Sequence, residues 1–203
     1  MKKAVILHSD IAADAPADEL DCLRQAEAVS VALRRHGYET TLLACSLDLE
    51  KTAQRLRHLK PEIVFNLVET LAGRGALIYL ACSLLDFLEI PYTGCPTEAM
   101  FITSNKPLAK RIMRHAGIDT PDWLETNAAD FQTAPAEKYI IKSAWEHASI
   151  GLDESALIDY THENKIREEL HRRREKLGGA CFAEAFIEGR EFNVGLIADK
   201  GIP

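Results

Sequence analysis

Two lysines, three glutamates and one small-residue loop carry the chemistry open to this sequence. Lys106 stands in SNKPLAKR, one turn into an expected helix, and Lys142 ends the strand-like run KYIIK. Seven residues after Lys142 comes Ser149-Ile150-Gly151, a stretch with little bulk. Glu184 and Glu191 lie in FAEAFIEGREFNV, and Glu69 lies in NLVET. A lysine ammonium is a compact cation with three donors, suited to phosphate oxygens. Small residues let backbone N–H groups come close to an anion, and a carboxylate accepts hydrogen bonds from hydroxyls and amines. Each residue also has an ordinary reading. A helix lysine is usually a solvated charge, and a lysine at a strand end usually reaches water. Glu184, between Ala183 and Ala185, is harder to dismiss. A carboxylate in an apolar strand is costly to bury alone, so it faces a ligand, a cation or water.

The elements that must position these residues follow from hydrophobic period. KAVILH (3–8) is a short apolar run without helical spacing and reads as a buried strand. Glu19–His36 carries Leu20, Leu23, Ala26 and Leu33 at helical spacing and stops at Gly37. Tyr38–Cys45 reads as a strand, Leu49–Leu59 as a helix, EIVFNL as a strand buried on both faces, and Gly75–Leu88 as one apolar helix closed by IPYTG. Alternating strands and helices predict an α/β fold with a doubly wound sheet over residues 1–103. A second unit spans 104–203. It opens with a helix over Ser104–His115, with Ser104 as N-cap and Leu108, Ile112 and Met113 on the inner side. Trp123-Leu124-Glu125 and a linker-like stretch (127–137) precede the strand Tyr139–Lys142. Residues 152–160 are mixed in character, and a charged helix spans His162–Leu177. Two strands follow, CFAEAFI and EFNVGLIAD, which place Glu184 and Glu191 on neighbouring strands. The last of them runs into Lys200-Gly201-Ile202-Pro203 as if turning toward another strand, which reads as an unfinished sheet and a fragment of a longer protein.

Bulk properties narrow the function. The chain of 203 residues has a net charge of −7, which disfavours sequence-independent nucleic-acid binding. Its five cysteines are widely spaced with no CxxC pair, so neither a zinc site nor a disulfide framework is indicated. No run approaches the roughly 18 apolar residues of a membrane span, and the cytoplasm is the expected compartment. Neither GxGxxG nor GxxxxGK[ST] is present, so a nucleotide would be held without a Rossmann fingerprint or a P-loop.

VFNLVETLAGRG, IPYTG, Asn105-Lys106, GIDTPDW, IIKSAWEHASIGL and AEAFIEGREFNVGL, in this order, resemble the ATP-grasp superfamily, and within it the D-alanine–D-alanine ligases. The resemblance implies a pre-ATP-grasp, Rossmann-like N-terminal domain (1–103). It also implies the α+β small subdomain of an ATP-grasp domain (104–203) whose C-terminal subdomain is truncated. It implies ATP binding: Glu184 on the adenine amino group, the backbone of Phe186 and Ile187 on the adenine edge, and Glu191 on the ribose. Lys106 and Lys142 would meet the phosphates, with the loop around Ser149 and Gly151 folded over them. A carboxylate would attack the γ-phosphate, and an amine would displace phosphate from the acylphosphate to leave an amide. Mg²⁺ would bridge the phosphates, with its ligands and the remaining catalytic groups expected beyond residue 203, so that this chain alone would not turn over. The family often forms homodimers through its N-terminal part.

The departures concern the substrate. Where the ligases carry a glycine-rich loop after the first strand, this chain has SDIAADAPADELD, and no acidic residue from Asp10 to Glu19 matches the family glutamate residue by residue. Glu69 is the candidate contact for a substrate amine. Three rivals stay open: a ligase for other amino acids or small carboxylic acids, a non-catalytic nucleotide-binding module, and a flavodoxin-like or Rossmann domain.

Overall fold

A computed structural model describes residues 2–12, 15, 17–125, 136–146, 154–192 and 194. Two sheets organise them. The first has the order β2-β1-β3, all parallel: β1 is Lys2–Ser9, β2 Tyr38–Cys45 and β3 Ile63–Leu67. The second has the order β4-β7-β5-β6, all antiparallel: β4 is Trp123–Glu125, β5 Lys138–Ser143, β6 Leu157–Asp159 and β7 Cys181–Ala185.

β1 is buried on both faces, as the central strand of a parallel sheet must be. Val5 and Leu7 share a core with Leu56 of α2 (Leu49–Leu59) and with Ala81 and Leu85 of α3 (Tyr79–Phe87). Ala4 and Ile6 point to the opposite face and are also buried. The helix α1 (Ala17–Arg35) packs on β1 and β2, with Ala26 and Cys22 inward. Asp48 caps α2 by accepting from the Lys51 N–H at 3.0 Å. Gly37, at φ +83, makes the left-handed step out of α1 that the sequence assigned to it.

Three expectations change. Gly75–Leu88 is not one helix: a 3-10 turn at Gly75–Leu77 precedes α3. A further helix, α4 (Thr97–Ser104), occupies the stretch after IPYTG. Ser104 is therefore the buried last residue of α4, and Asn105 is the N-cap of α5 (Lys106–His115), accepting from the Leu108 N–H at 3.0 Å. Of the expected inner side of α5, Leu108 and Met113 are half-buried but Ile112 is 43% exposed. Pro107 and Lys110 are its buried residues.

In the second sheet one face packs on α6 (Glu163–Arg173). Tyr139, Ile141, Leu124 and Ala183 meet Ile166 and Leu170 there. His162 caps α6 through Nδ1, which accepts from the Lys165 N–H at 3.2 Å. The strand expected over EFNVGLIAD is absent at described residues 191, 192 and 194. Residues 193 and 195–203 of that region lie outside the described residues, as does most of the expected linker. Four of the five cysteines (Cys22, Cys45, Cys82 and Cys181) are buried and Cys95 is exposed. Burial pushes the Cys45 thiol up to about 11, and the Cys22 and Cys82 thiols are raised in the same way. Among the described residues no helix is long and apolar enough to cross a membrane.

Candidate functional site

The other face of the second sheet carries the charges. In the β5–β7 register Ile140 faces Glu184 and Lys142 faces Phe182, so Lys142 and Glu184 lie on neighbouring strands two places apart. Side chains at that spacing point to one face. On the far side of β7, Trp123 of β4 stands opposite Glu184. The helix α5 supplies Lys106 and Lys110, four residues apart and therefore on one helix face.

Glu184 is the centre. Lys110 Nζ donates to its Oε1 at 2.6 Å, and Lys142 Nζ donates to Oε2. Burial acts to raise the Glu184 carboxyl, but the hydrogen bonds and charge of Lys110 and Lys142 outweigh it and hold the group below its ordinary value. The sequence left Glu184 facing a ligand, a cation or water, and it faces two cations. Lys106 Nζ donates to the backbone carbonyl of Glu146 at 2.6 Å, and its own N–H donates to the Ala144 carbonyl at 3.0 Å. Desolvation lowers the Lys106 ammonium from its ordinary value, with Lys142 adding to the effect.

Just past β5 the chain makes a tight polar turn. Ser143 Oγ donates to the Leu177 carbonyl at 2.9 Å and accepts from the Glu146 N–H at 3.1 Å. The buried Glu146 carboxylate then accepts the Gly75 N–H at 3.1 Å, linking the two halves of the chain. A Cβ on Gly75 would meet Glu146 Oε2 at 2.8 Å and the Trp145 carbonyl at 2.9 Å, so glycine is required by space. Tyr79, Phe101 and Trp145 form a ring series across the same joint, with centroids 5.1 and 5.9 Å apart. Ser149 and Gly151 follow this turn but lie outside the described residues.

Lys106, Lys142 and Glu184 thus share one region under α5. Phe186 and Ile187 follow β7 and are exposed, and the Phe186 N–H is already donated to the Lys138 carbonyl at 3.0 Å. Glu191 lies further along, exposed and outside any strand, so it is not the strand neighbour of Glu184 that the sequence suggested. Glu69 is far from the lysine cluster in sequence and sits just beyond the C-terminal end of β3, exposed, with its N–H held by Ser9 Oγ at 3.0 Å. That end of a parallel sheet is where open α/β folds take ligands. Two residues of the site escaped sequence reasoning. Lys110 could have been found from its four-residue spacing to Lys106. Glu146 carried no comparable signal, because its partner Gly75 is remote in sequence.

No protein-family model matches the chain. It is 31% identical to the D-alanine–D-alanine ligase of Aquifex aeolicus over 186 residues, which are 89% of this chain and 59% of that protein. In fold it is similar to the D-alanine–D-alanine ligase of Bacillus anthracis complexed with ATP, with a TM-score of 0.68 over 93% of this chain and 60% of that one, at 15% identity. It is also similar to the VanG D-Ala:D-Ser ligase of Enterococcus faecalis, with a TM-score of 0.62 over 93% and 63%, again at 15% identity. The chain spans about three-fifths of the length of the curated relatives it matches. In sequence this chain is similar to curated D-alanine–D-alanine ligases, and in fold to solved structures of such ligases.

Proposed function

We propose that the chain carries the nucleotide-binding part of an ATP-dependent carboxylate–amine ligase of the D-alanine–D-alanine type. The observation that carries this is the cluster of Lys106, Lys142 and an ionised Glu184 between α5 and the second sheet. In this reading the N-terminal domain is 1–103 and the ATP-grasp part is 104–203. The base lies beside Glu184, with the Phe186 carbonyl and the Ile187 backbone at its edge and Glu191 at the ribose. Lys106 and Lys142 lead to the phosphates, covered by the loop of Ser149 and Gly151. Their part in the chemistry is charge neutralisation and positioning. As the γ-phosphoryl group passes from ATP to the substrate carboxylate, lysine donors offset the negative charge left on ADP. Attack of the amine on the acylphosphate then expels phosphate and a proton, leaving the amide.

Mg²⁺ finds no holder among the described residues. No group of three His, Cys, Asp or Glu there could bind a metal, and the one carboxylate of the cluster is already paired with two lysines. No step is routed through the metal.

The expected result for Lys142→Met is a loss of ATP affinity of about tenfold or more with the thermal midpoint little changed, since a charge-assisted hydrogen bond to phosphate is lost. Calorimetric titration of the wild type and the variant checks it. Equal affinities would return Lys142 to the surface.

A second reading shares every nucleotide residue and differs in substrate. The acidic, glycine-free loop after β1 favours an amino acid or small carboxylic acid other than D-alanine, and the fold is shared with a D-Ala:D-Ser ligase. Glu69, at the ligand end of the first sheet, is the residue for its amine. A screen of amino-acid pairs for ATP-dependent phosphate release, run on the full-length protein, separates the two. A cytoplasmic setting, a small-molecule substrate and pairing of two copies through the N-terminal part go with either reading.

A further inference from the structure

Lys110 is a buried charge outside the pair of lysines that leads to the phosphates. It is 4% exposed. Its Nζ donates to Glu184 Oε1 at 2.6 Å and to Thr120 Oγ1 at 2.6 Å, and it stands 5.1 Å from the centroid of the Trp123 ring. Three pieces of chain therefore fix it: α5, the loop that carries Thr120, and β4. Lys142, which shares the other Glu184 oxygen, has a side chain 30% exposed. Of the two cations, Lys110 is the one with no freedom to leave.

The consequence falls on Glu184. A partly buried carboxylate held by one partly exposed lysine would turn about its own side-chain bonds. With Oε1 tied to a lysine that is itself tied to Thr120, the plane of the carboxylate is set. Burial alone would favour the protonated acid, and the lysines keep it ionised.

We propose that Lys110 is a positioning residue that aims the Glu184 carboxylate at the bound base and so sets a preference for a 6-aminopurine over a 6-oxopurine nucleotide. The proposal rests on the nucleotide reading above. A 6-amino group donates a hydrogen bond to the fixed carboxylate. A 6-oxo group presents a second acceptor to it and brings no proton, so an anion fixed in place repels it. If the carboxylate is free to turn away, both its attraction and its repulsion weaken.

The test is equilibrium binding of ATP and of inosine triphosphate to the full chain, for wild type, Lys110→Met, Lys110→Arg and Thr120→Val. In the wild type ATP binds more tightly than inosine triphosphate. In Lys110→Met the ratio of the two affinities falls about tenfold or more, the size of a hydrogen bond to a charged group, while inosine triphosphate binding holds or tightens. Lys110→Arg restores part of the ratio. Thr120→Val, which keeps every charge, lowers it by a smaller factor and serves if Lys110→Met does not fold. A purely structural role for Lys110 would weaken both nucleotides equally, and an unchanged ratio in the folded variants overturns the proposal while leaving ATP binding standing. A wild type that binds no ATP overturns the nucleotide reading and the proposal with it.

Discussion

A carboxylate held between two lysines ties stability to pH through one group. The Glu184 pKa in the folded chain lies below its ordinary 4.5. In acid the unfolded chain therefore binds the Glu184 proton first. The stabilisation from this group is complete above about pH 4.5 and is lost as pH falls through the lower folded value. The expected outcome is a gap in urea midpoint between wild type and Glu184→Gln that is flat near neutrality and narrows below about pH 4.5. A gap independent of pH down to about 3 would show that the pair adds nothing through ionisation. At this scale the sequence was readable where a residue type was out of place. Glu184 in an apolar strand and Lys142 at a strand end could be named on that ground. Lys110 could not, because a lysine in a charged helix looks like any solvated lysine until the facing sheet is known.

Helices and strands of the first sheet were legible because their patterns are strong: β2 and α2 have the bounds that period and turn residues predict. The stretch around α4 was not. TEAMFITS follows Pro96 and mixes β-branched with apolar residues without a clean stripe, so only packing on α3 and α5 makes it a helix. With α4 unseen, its last residue Ser104 was read as the cap of the next helix. Asn105 does that work, and it follows that Asn105→Ala should cost about 1 kcal/mol of stability and Ser104→Ala should leave the α5 cap intact. Chemical denaturation of both variants decides between the two assignments. The same helix start carries Lys106, so Asn105→Ala is also expected to loosen the phosphate end of α5 and raise its amide exchange there.

Across the molecule, the strands of the first sheet and β5 and β7 of the second were foreseen, but β4, β6 and the joint between the sheets were not. The joint is made by Glu146 accepting the Gly75 N–H and by the Tyr79–Phe101–Trp145 series, contacts between residues far apart in sequence. No local pattern announces a carboxylate that caps a distant backbone amide. Glu146→Ala would leave that buried N–H without a partner and should lower unfolding stability by about 1–3 kcal/mol, whereas Glu146→Gln keeps an acceptor and should recover most of it. Equal urea midpoints for wild type and the alanine variant would mean that the two halves do not depend on this contact. Because Lys106 donates to the carbonyl of the same Glu146, damage to the joint should also reach the lysine cluster.

The uneven distribution of sulfur gives the fold an experimental address. Burial keeps Cys22, Cys45 and Cys82 as unreactive thiols and encloses Cys181, so a maleimide dye added to the native chain has one open target, Cys95. That residue lies between Tyr92 and Thr97, both of which donate to Asp86. A single fluorophore there would watch the approach to α4 without any engineered cysteine, and the labelling of further thiols would time the opening of the core.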